Sequence, residues 1–147
     1  MTDSFYPFIG EPEDYVLPAE PELPLFYELA WDFKKDDFLI DEEKNEIIIW
    51  NGEKALEVWI YKALKTNQFE HVIYSWDYGT SLITLVGQKF SRGLTESEAF
   101  RYVKESLLKN RYITDVINNG VTFVNDEVTI NVIVETVYGE VKINVRR

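Results

Sequence analysis

One stretch, residues 52–66, most constrains what this chain can fold into. Its apolar residues recur at intervals of three and four positions and form one stripe of a helix, made of Leu56, Trp59, Ile60, Ala63 and Leu64. Charged residues take much of the opposite side. Thr66, Asn67 and Gln68 follow, and they are poor helix formers. The pattern predicts a helix that ends near Thr66 and buries one face, including Trp59 and Leu64, in a core.

The next twenty residues predict a strand, a turn and a short helix. The run His71 to Trp76 is rich in β-branched and aromatic residues, which is typical of a strand. Asp77-Tyr78-Gly79 is a turn signal, and Gly87 stands where a left-handed helix end costs least. Between them we predict a short apolar helix that contains Leu82, Ile83, Leu85 and Val86.

A second amphipathic helix is predicted after Thr95. Thr95 and Glu98 have the spacing of a capping box, in which each side chain bonds the other residue's backbone amide. The apolar residues that follow have helical spacing up to about Asn110, and they are Ala99, Phe100, Val103, Leu107 and Leu108.

After Tyr112 the apolar residues alternate, which predicts three strands joined by tight turns at Asp126 and at Tyr138-Gly139. Asn119-Gly120 predicts a bend or bulge in the first strand. The last strand carries Val141, Ile143 and Val145, has no proline and has little charge before Arg146. Such an edge either pairs internally on both sides or accepts a partner strand.

Upstream of the first helix, the sequence predicts a strand at Tyr27 to Trp31 and a hairpin. Phe38 to Ile40 and Glu46 to Trp50 flank the polar tip Asp41 to Asn45. We expect no internal repeats. The fold class is therefore α+β, a mainly antiparallel sheet with two to three helices packed on it, and residues 28–147 form a single domain.

Residues 1–27 are predicted to form an extended arm. All five prolines lie within the first 24 residues, where they favour extended backbone. The first 33 residues hold eight acidic residues and no Lys or Arg. The arm also contains many large apolar side chains, which disordered linkers usually lack. It either packs back on its own domain, lies across a partner subunit, or is an unused tail.

Composition narrows the function classes. A net charge of −11 disfavours binding to nucleic-acid phosphates. No apolar run approaches the roughly 20 residues that span a bilayer, and no signal peptide is expected. The chain has no Cys and a single His, His71, so thiolate and multi-His metal sites are excluded.

The residue types and their spacing predict no enzymatic activity, no bound cofactor and no metal site. His71 is expected to make an ordinary hydrogen bond at a junction between helix and strand. The carboxylates cluster in turns or beside lysines, as on a solvated surface, and no Gly-rich phosphate loop is present.

Several short motifs in a fixed order carry a resemblance that covers Glu28 to Val145. They are Ala30-Trp31-Asp32-Phe33, Gly52 with Ala55-Leu56, the helix end Lys62–Thr66, the pair Glu70-His71, and Asp77-Tyr78-Gly79 with Leu82. In these the chain resembles the baseplate-wedge family of contractile phage tails, especially its version in Gram-positive phages. That family, once labelled lysozyme-like, includes sheath initiators of phages, R-type bacteriocins and type VI secretion systems. Phe69 and His71 stand here where the wider family often has Gly and Arg.

The resemblance implies a structural baseplate subunit that links wedge proteins and initiates the sheath by strand exchange. It also implies about six copies around the hub, assembly in the bacterial cytoplasm, and contacts with sheath protein, other wedge proteins and hub or tube proteins. The candidate partner-binding residues are Glu70, His71, Tyr78, Gly79, Val141, Ile143 and Val145. The alternative function is a peptidoglycan hydrolase, which needs two carboxyl groups in a cleft.

Overall fold

A computed structural model describes residues 18–85, 87, 91–124 and 127–146. Six short strands come first: β1 (Tyr27–Leu29), β2 (Trp31–Asp32), β3 (Asp37–Phe38), β4 (Ile40–Asp41), β5 (Glu46–Ile47) and β6 (Ile49–Asn51). Then come helix α1 (Gly52–Lys65), a 3-10 helix (Leu82–Leu85), helix α2 (Arg92–Leu107), β7 (Ile113–Val124), β8 (Glu127–Thr136) and β9 (Gly139–Arg146). The predicted α+β class is confirmed.

Helix α1 has the predicted bounds and the predicted apolar stripe. Leu56, Ile60 and Leu64 are completely buried and lie in the core shared with α2 and the long strands. Trp59 is only half-buried, so the prediction that it lies in the core holds in part. Its ring lies 5.9 Å from that of Tyr78, because this side of the helix faces the loop that follows it.

The three long strands form the predicted antiparallel meander, in the order β7-β8-β9. Their alternating residues that face the helices are buried, for example Ile130, Val132 and Val134 on β8. The pairing register shifts between Asn118 and Val121, which confirms the bulge predicted at Asn119-Gly120. Strand β7 begins at Ile113, directly after Tyr112, where the alternation was predicted to start.

The predicted capping box at Thr95 is wrong. Helix α2 begins four residues earlier than predicted, with Ser91 rather than Thr95 as its N-cap, so Thr95 lies inside the first turn. The Thr95 hydroxyl donates to the Ser91 carbonyl oxygen at 3.1 Å, and Glu98 pairs with Arg101 rather than with a backbone amide. Both Ser91 and Thr95 are residue types that can cap a helix. A start at Ser91 is favoured because the longer helix has an additional turn of backbone hydrogen bonds.

The six short strands pair as three antiparallel ladders, β1 with β6, β2 with β3 and β4 with β5. The ladders meet at three residues whose main chains form a closed ring of hydrogen bonds. Ala30 N–H donates to Ile48 O at 2.7 Å, Ile48 N–H to Leu39 O at 3.0 Å, and Leu39 N–H to Ala30 O at 3.0 Å. The predicted strand Tyr27 to Trp31 is consequently divided at Ala30, whereas the predicted hairpin around Asp41 to Asn45 is confirmed. We call residues 27–51 the ribbon.

The ribbon contains an internal repeat, contrary to the expectation of none. The ring residues Ala30, Leu39 and Ile48 are nine positions apart, and so are the two hairpins between them, residues 31–38 and 40–47. Each hairpin has an Asp that accepts backbone N–H bonds in the turn and, four residues later, a residue with positive φ, Asp36 (56°) or Asn45 (52°). Two copies of nine residues are too short and too diverged to be recognised as a repeat from residue identity.

The strand predicted at His71 to Trp76 is also wrong. These residues form successive turns, with Tyr74 N–H donating to His71 O and Tyr78 N–H donating to Ser75 O. A strand requires a neighbouring strand for its hydrogen bonds, and no described strand lies beside this segment. The 3-10 helix and the positive φ of Gly87 (79°) are as predicted, while Val86 lies outside the described residues.

Most of the predicted arm, residues 1–17, lies outside the described residues. Residues 18–26 have no regular secondary structure. The chain is attached to the domain from Pro24 onward, because the Tyr112 hydroxyl donates to Pro24 O at 2.8 Å and Phe26 N–H donates to the Tyr138 hydroxyl at 2.9 Å.

A leucine pair tests the assignment of the core. Leu64→Ala removes a side chain with no exposure and leaves a cavity, so we expect it to lower the free energy of unfolding by about 2–5 kcal/mol. Leu94→Ala, on the exposed side of α2, is the control and should change it by less than about 0.5 kcal/mol. Equal effects of the two substitutions in urea denaturation would mean that the buried face of α1 has been misassigned.

Candidate functional site

The loop between α1 and the 3-10 helix is closed at its base by backbone hydrogen bonds. Thr80 N–H donates to Thr66 O at 2.9 Å, and Gln68 N–H donates to Thr80 O at 3.1 Å. The two chain segments therefore run side by side at Asn67 and Thr80, and the residues between them form a compact loop whose ends are adjacent. We call residues 68–79 the Ω-loop.

Gly79 allows the two segments to come this close. Its φ is +94°, and a Cβ atom at this position would lie 2.8 Å from the carbonyl oxygen of Thr66. Both the backbone conformation and the available space thus require glycine. Gly79, one of the predicted partner-binding residues, is buried and has a structural role.

Hydrogen bonds of polar side chains hold the Ω-loop in place. The Ser81 hydroxyl donates to Gln68 Oε1 at 2.8 Å, and Gln68 Nε2 donates to Trp76 O at 3.4 Å. Asn67 Nδ2 donates to the Glu70 carboxylate at 2.6 Å. Glu70 therefore fixes the first turn of the loop while its side chain remains exposed.

A row of rings connects the Ω-loop to α1. Tyr78 contacts Trp59 on one side and Tyr74 on the other, with ring centroids 5.9 Å and 4.6 Å away, and His71 contacts Tyr74 at 5.8 Å. Burial raises the pKa of Tyr78, and the nearby Tyr74 and Glu28 raise it further. Tyr78 is therefore a neutral packing residue, and the outer half of the row, Tyr74 and His71, is exposed.

The outer surface of the Ω-loop is apolar and exposed. Val72 is fully exposed, Ile73 is 88% exposed, Trp76 is 80% exposed and Phe69 is 62% exposed. Phe69 also has a positive φ of 67°, which is uncommon for a bulky residue, and its ring contacts that of Trp76. Large apolar side chains held outward by an ordered loop are typical of a protein-binding surface.

The second group of predicted residues lies on the edge strand β9. Val141, Ile143 and Val145 are buried against the helices, while Glu140, Lys142, Asn144 and Arg146 are exposed on the opposite face. No strand among residues 18–85, 91–124 and 127–146 pairs with the outer edge of β9. The side chains of the three predicted residues are therefore inaccessible to a partner. What β9 offers to a partner is its main-chain edge and the exposed side chains of the alternate residues.

The register identifies which amides are open. Thr136 is paired with Gly139 across a two-residue loop, and a pair that closes such a turn is hydrogen-bonded. Because hydrogen-bonded and non-hydrogen-bonded pairs alternate, Val132 with Ile143 and Ile130 with Val145 are also hydrogen-bonded. The N–H groups that point away from the sheet belong to the alternate residues Glu140, Lys142, Asn144 and Arg146.

The predicted site thus consists of two separate surfaces. The Ω-loop brings together Glu70, His71, Tyr78 and Gly79, of which Tyr78 and Gly79 act inside it. The residues that dominate its exposed surface, Val72, Ile73 and Trp76, were assigned to a strand from the sequence. The signal that could have identified them is a cluster of large apolar residues with no second strand nearby to pair with.

The described residues contain no cluster of three or more Asp, Glu or His side chains that could hold a metal ion. Asp32, Asp37 and Glu42 line an open groove between the two ribbon hairpins. Backbone N–H groups of Lys34 and Lys35 lower the pKa of Asp32, whereas a glycosidase acid requires a raised pKa. No helix in the described part of the chain is long and apolar enough to cross a membrane.

An α+β domain with an ordered apolar loop and an open sheet edge is the kind of domain from which protein assemblies are built. The family model of the contractile injection system sheath initiator matches residues 27–139, which is most of the chain. The chain therefore belongs to the sheath-initiator family, as the resemblance in its motifs indicated. No curated protein matches it. Its role lies in sheath assembly within a contractile injection particle, together with sheath and baseplate components.

Two glycine substitutions test the geometry of the Ω-loop. Gly87→Ala places a Cβ in open space at φ +79°, so we expect only the cost of a left-handed alanine, about 1–2 kcal/mol of unfolding free energy. Gly79→Ala should cost more, since the new methyl group also meets the Thr66 carbonyl oxygen. Thermal melts of both variants measure the difference, and a Gly79→Ala variant as stable as the Gly87→Ala variant would contradict the close contact.

Proposed function

We propose that this chain is a non-catalytic baseplate subunit that attaches to other wedge proteins through the Ω-loop and initiates the sheath through β9. The observation that carries this proposal is the outer edge of β9, whose four outward amides have no strand partner among the described residues. A sheath subunit that contributes one extended segment would pair with this edge by main-chain hydrogen bonds.

The Ω-loop has the features of an anchoring surface. Trp76, Ile73 and Val72 project from a loop that internal hydrogen bonds and ring contacts already hold in place. Binding through such a loop costs little conformational entropy, and a central Trp is the residue type that most often dominates an interface. Other wedge proteins and hub or tube proteins are the proposed partners of this surface.

The edge of β9 suits a partner that is recognised by backbone rather than by side chains. Val141, Ile143 and Val145 fill the core below the edge and leave the sheet surface even, while the outward N–H groups are regularly spaced. An added strand would extend the sheet of β7, β8 and β9 to four strands. Such pairing would hold a first-ring sheath subunit by main-chain hydrogen bonds along the length of β9.

The remaining parts of the proposal rest on the family. We propose about six copies in the particle, around its hub, and assembly in the bacterial cytoplasm. Residues 1–27 are proposed to act as an arm outside the domain of residues 28–147, although the contacts of Pro24 and Phe26 show that attachment to the domain begins before residue 28. No feature of the described residues supports the hydrolase alternative.

A proline substitution tests strand addition. Asn144→Pro removes an outward N–H group but no bond to β8, and edge strands tolerate proline when its missing N–H faces outward. We expect the variant to fold with a circular dichroism spectrum like that of the parent protein, and to give baseplates that carry no sheath. Asn144→Ser keeps the amide and is the matched control, which should give normal sheaths.

Electron micrographs of particles that contain each variant decide the outcome. Full-length sheaths on particles with Asn144→Pro would contradict strand addition at β9. Ile143→Pro is unsuitable for this purpose, because the Ile143 N–H bonds to Val132 inside the sheet and its loss should unfold the strand.

A pair of serine substitutions tests the anchoring surface. The variant Ile73→Ser/Trp76→Ser changes two highly exposed side chains, so its melting temperature should stay within a few degrees of the parent protein. We expect much less of it in purified baseplates, measured by quantitative mass spectrometry. The control variant Val124→Ser/Val137→Ser changes two exposed valines elsewhere and should be incorporated normally. Equal incorporation of the two variants would mean that the Ω-loop is not an anchor.

A further inference from the structure

The outer edge of β9 is complementary to a second copy of itself. We propose that the chain, before it is built into a particle, forms a symmetric dimer in which two β9 strands pair antiparallel with Glu140 opposite Arg146 of the second copy. This goes beyond the proposed function, since it concerns the free protein and names another occupant of the edge. The proposal rests on the register, the outward amides and the exposed charges of β9.

The outward amides restrict how two such edges can pair. A closed dimer has two-fold symmetry, so identical edges must run antiparallel. The hydrogen-bonded pairs must then join residues that both have outward N–H groups, which are the even-numbered residues 140–146. The register that uses all four residues places Glu140 opposite Arg146 and Lys142 opposite Asn144, with the symmetry axis at Ile143.

The charges on the exposed face favour the same register. It gives two Glu140–Arg146 pairs, one at each end, and places no like charges opposite each other. A shift that places Lys142 opposite its own copy, or one that places Lys142 opposite Arg146, brings two positive charges together. The guanidinium of Arg146 already contacts Glu127 of its own chain, and its five N–H donors are enough to bond a second carboxylate.

The buried face is compatible as well. Directly opposite residues of an antiparallel pair lie on the same face, so Val141 would lie beside Val145 and the two Ile143 side chains would meet at the axis. All three are buried on the side of the helices, and they would extend one apolar layer across the dimer. The result is a six-stranded sheet with helices on one face.

This pairing has a physical benefit. An open edge strand is a template for aggregation. Pairing with a second copy covers this edge before the protein is assembled with its partners. The same main-chain groups would later bond a sheath strand, so the dimer must dissociate before the sheath can start. Pairing through a single strand buries little surface, which keeps the dimer weak enough to dissociate.

Disulfide trapping of the purified full chain tests the register. The chain has no Cys, so each introduced thiol is unique. In the proposed dimer, residue 142 of one copy and residue 144 of the other are a hydrogen-bonded pair with Cα atoms about 5.5 Å apart, within disulfide range. The two copies of residue 142 are separated by about 6.8 Å along the strands in addition to the distance between the strands. Their Cα atoms therefore lie beyond the roughly 7 Å limit for a disulfide.

The expected result is that an oxidised mixture of the Lys142→Cys and Asn144→Cys variants forms a covalent heterodimer, while each variant alone stays mostly unlinked. Strong linkage of either variant alone, or no linkage of the mixture, would overturn the proposed register.

Sedimentation over a concentration series tests the interactions. The parent protein should dimerise, and Asn144→Pro should remain a monomer. Glu140→Arg places like charges at both ends and should raise the dimer Kd roughly tenfold. The double variant Glu140→Arg/Arg146→Glu restores opposite charges and should recover most of the affinity. A monomeric parent protein, or a dimer unaffected by Asn144→Pro, would overturn the proposal, and neither outcome depends on whether β9 initiates the sheath.

Discussion

The structure depends on the apolar stripe of α1, because this helix packs against both halves of the fold. On one side it contacts the ribbon strands β1 and β6, and on the other it contacts β9 and α2. Leu56, Ile60 and Leu64 are completely buried in this shared layer. The end of the same helix determines where the Ω-loop begins, since Thr66 O accepts the bond that closes the loop. One helix therefore holds the ribbon, the sheet and the proposed anchoring surface in fixed relation.

The sequence predicted those elements whose pattern reflects a buried face. Helix α1 and the meander β7-β8-β9 have strong periodicity because one side of each lies in the core, and both were predicted with nearly correct bounds. The candidate site could be predicted only in part. The motif residues Glu70 and His71 do lie on the Ω-loop. Whether β9 pairs on both sides was left open by the sequence, and no described strand pairs with its outer edge.

The errors have physical causes in particular residues. Val72, Ile73 and Trp76 are residue types that favour strands, but strand propensity mostly reflects packing on a sheet, and no strand is available there. Thr95 is a good N-cap residue, but the helix begins after Ser91, because the earlier start adds a turn of backbone hydrogen bonds. The ring of bonds among Ala30, Leu39 and Ile48 joins main-chain groups of three separate ladders, and main-chain pairing of this kind leaves little trace in residue identity.

In the proposed function, side chains of the Ω-loop anchor the subunit and main-chain groups of β9 initiate the sheath. An electron cryo-microscopy map of the assembled particle at the junction of baseplate and sheath tests this division most directly. We expect a strand of a first-ring sheath subunit to be hydrogen-bonded along the outer edge of β9, with Ile73 and Trp76 buried against baseplate protein. A map in which the outer edge of β9 faces solvent while the sheath ring rests on another surface would contradict it.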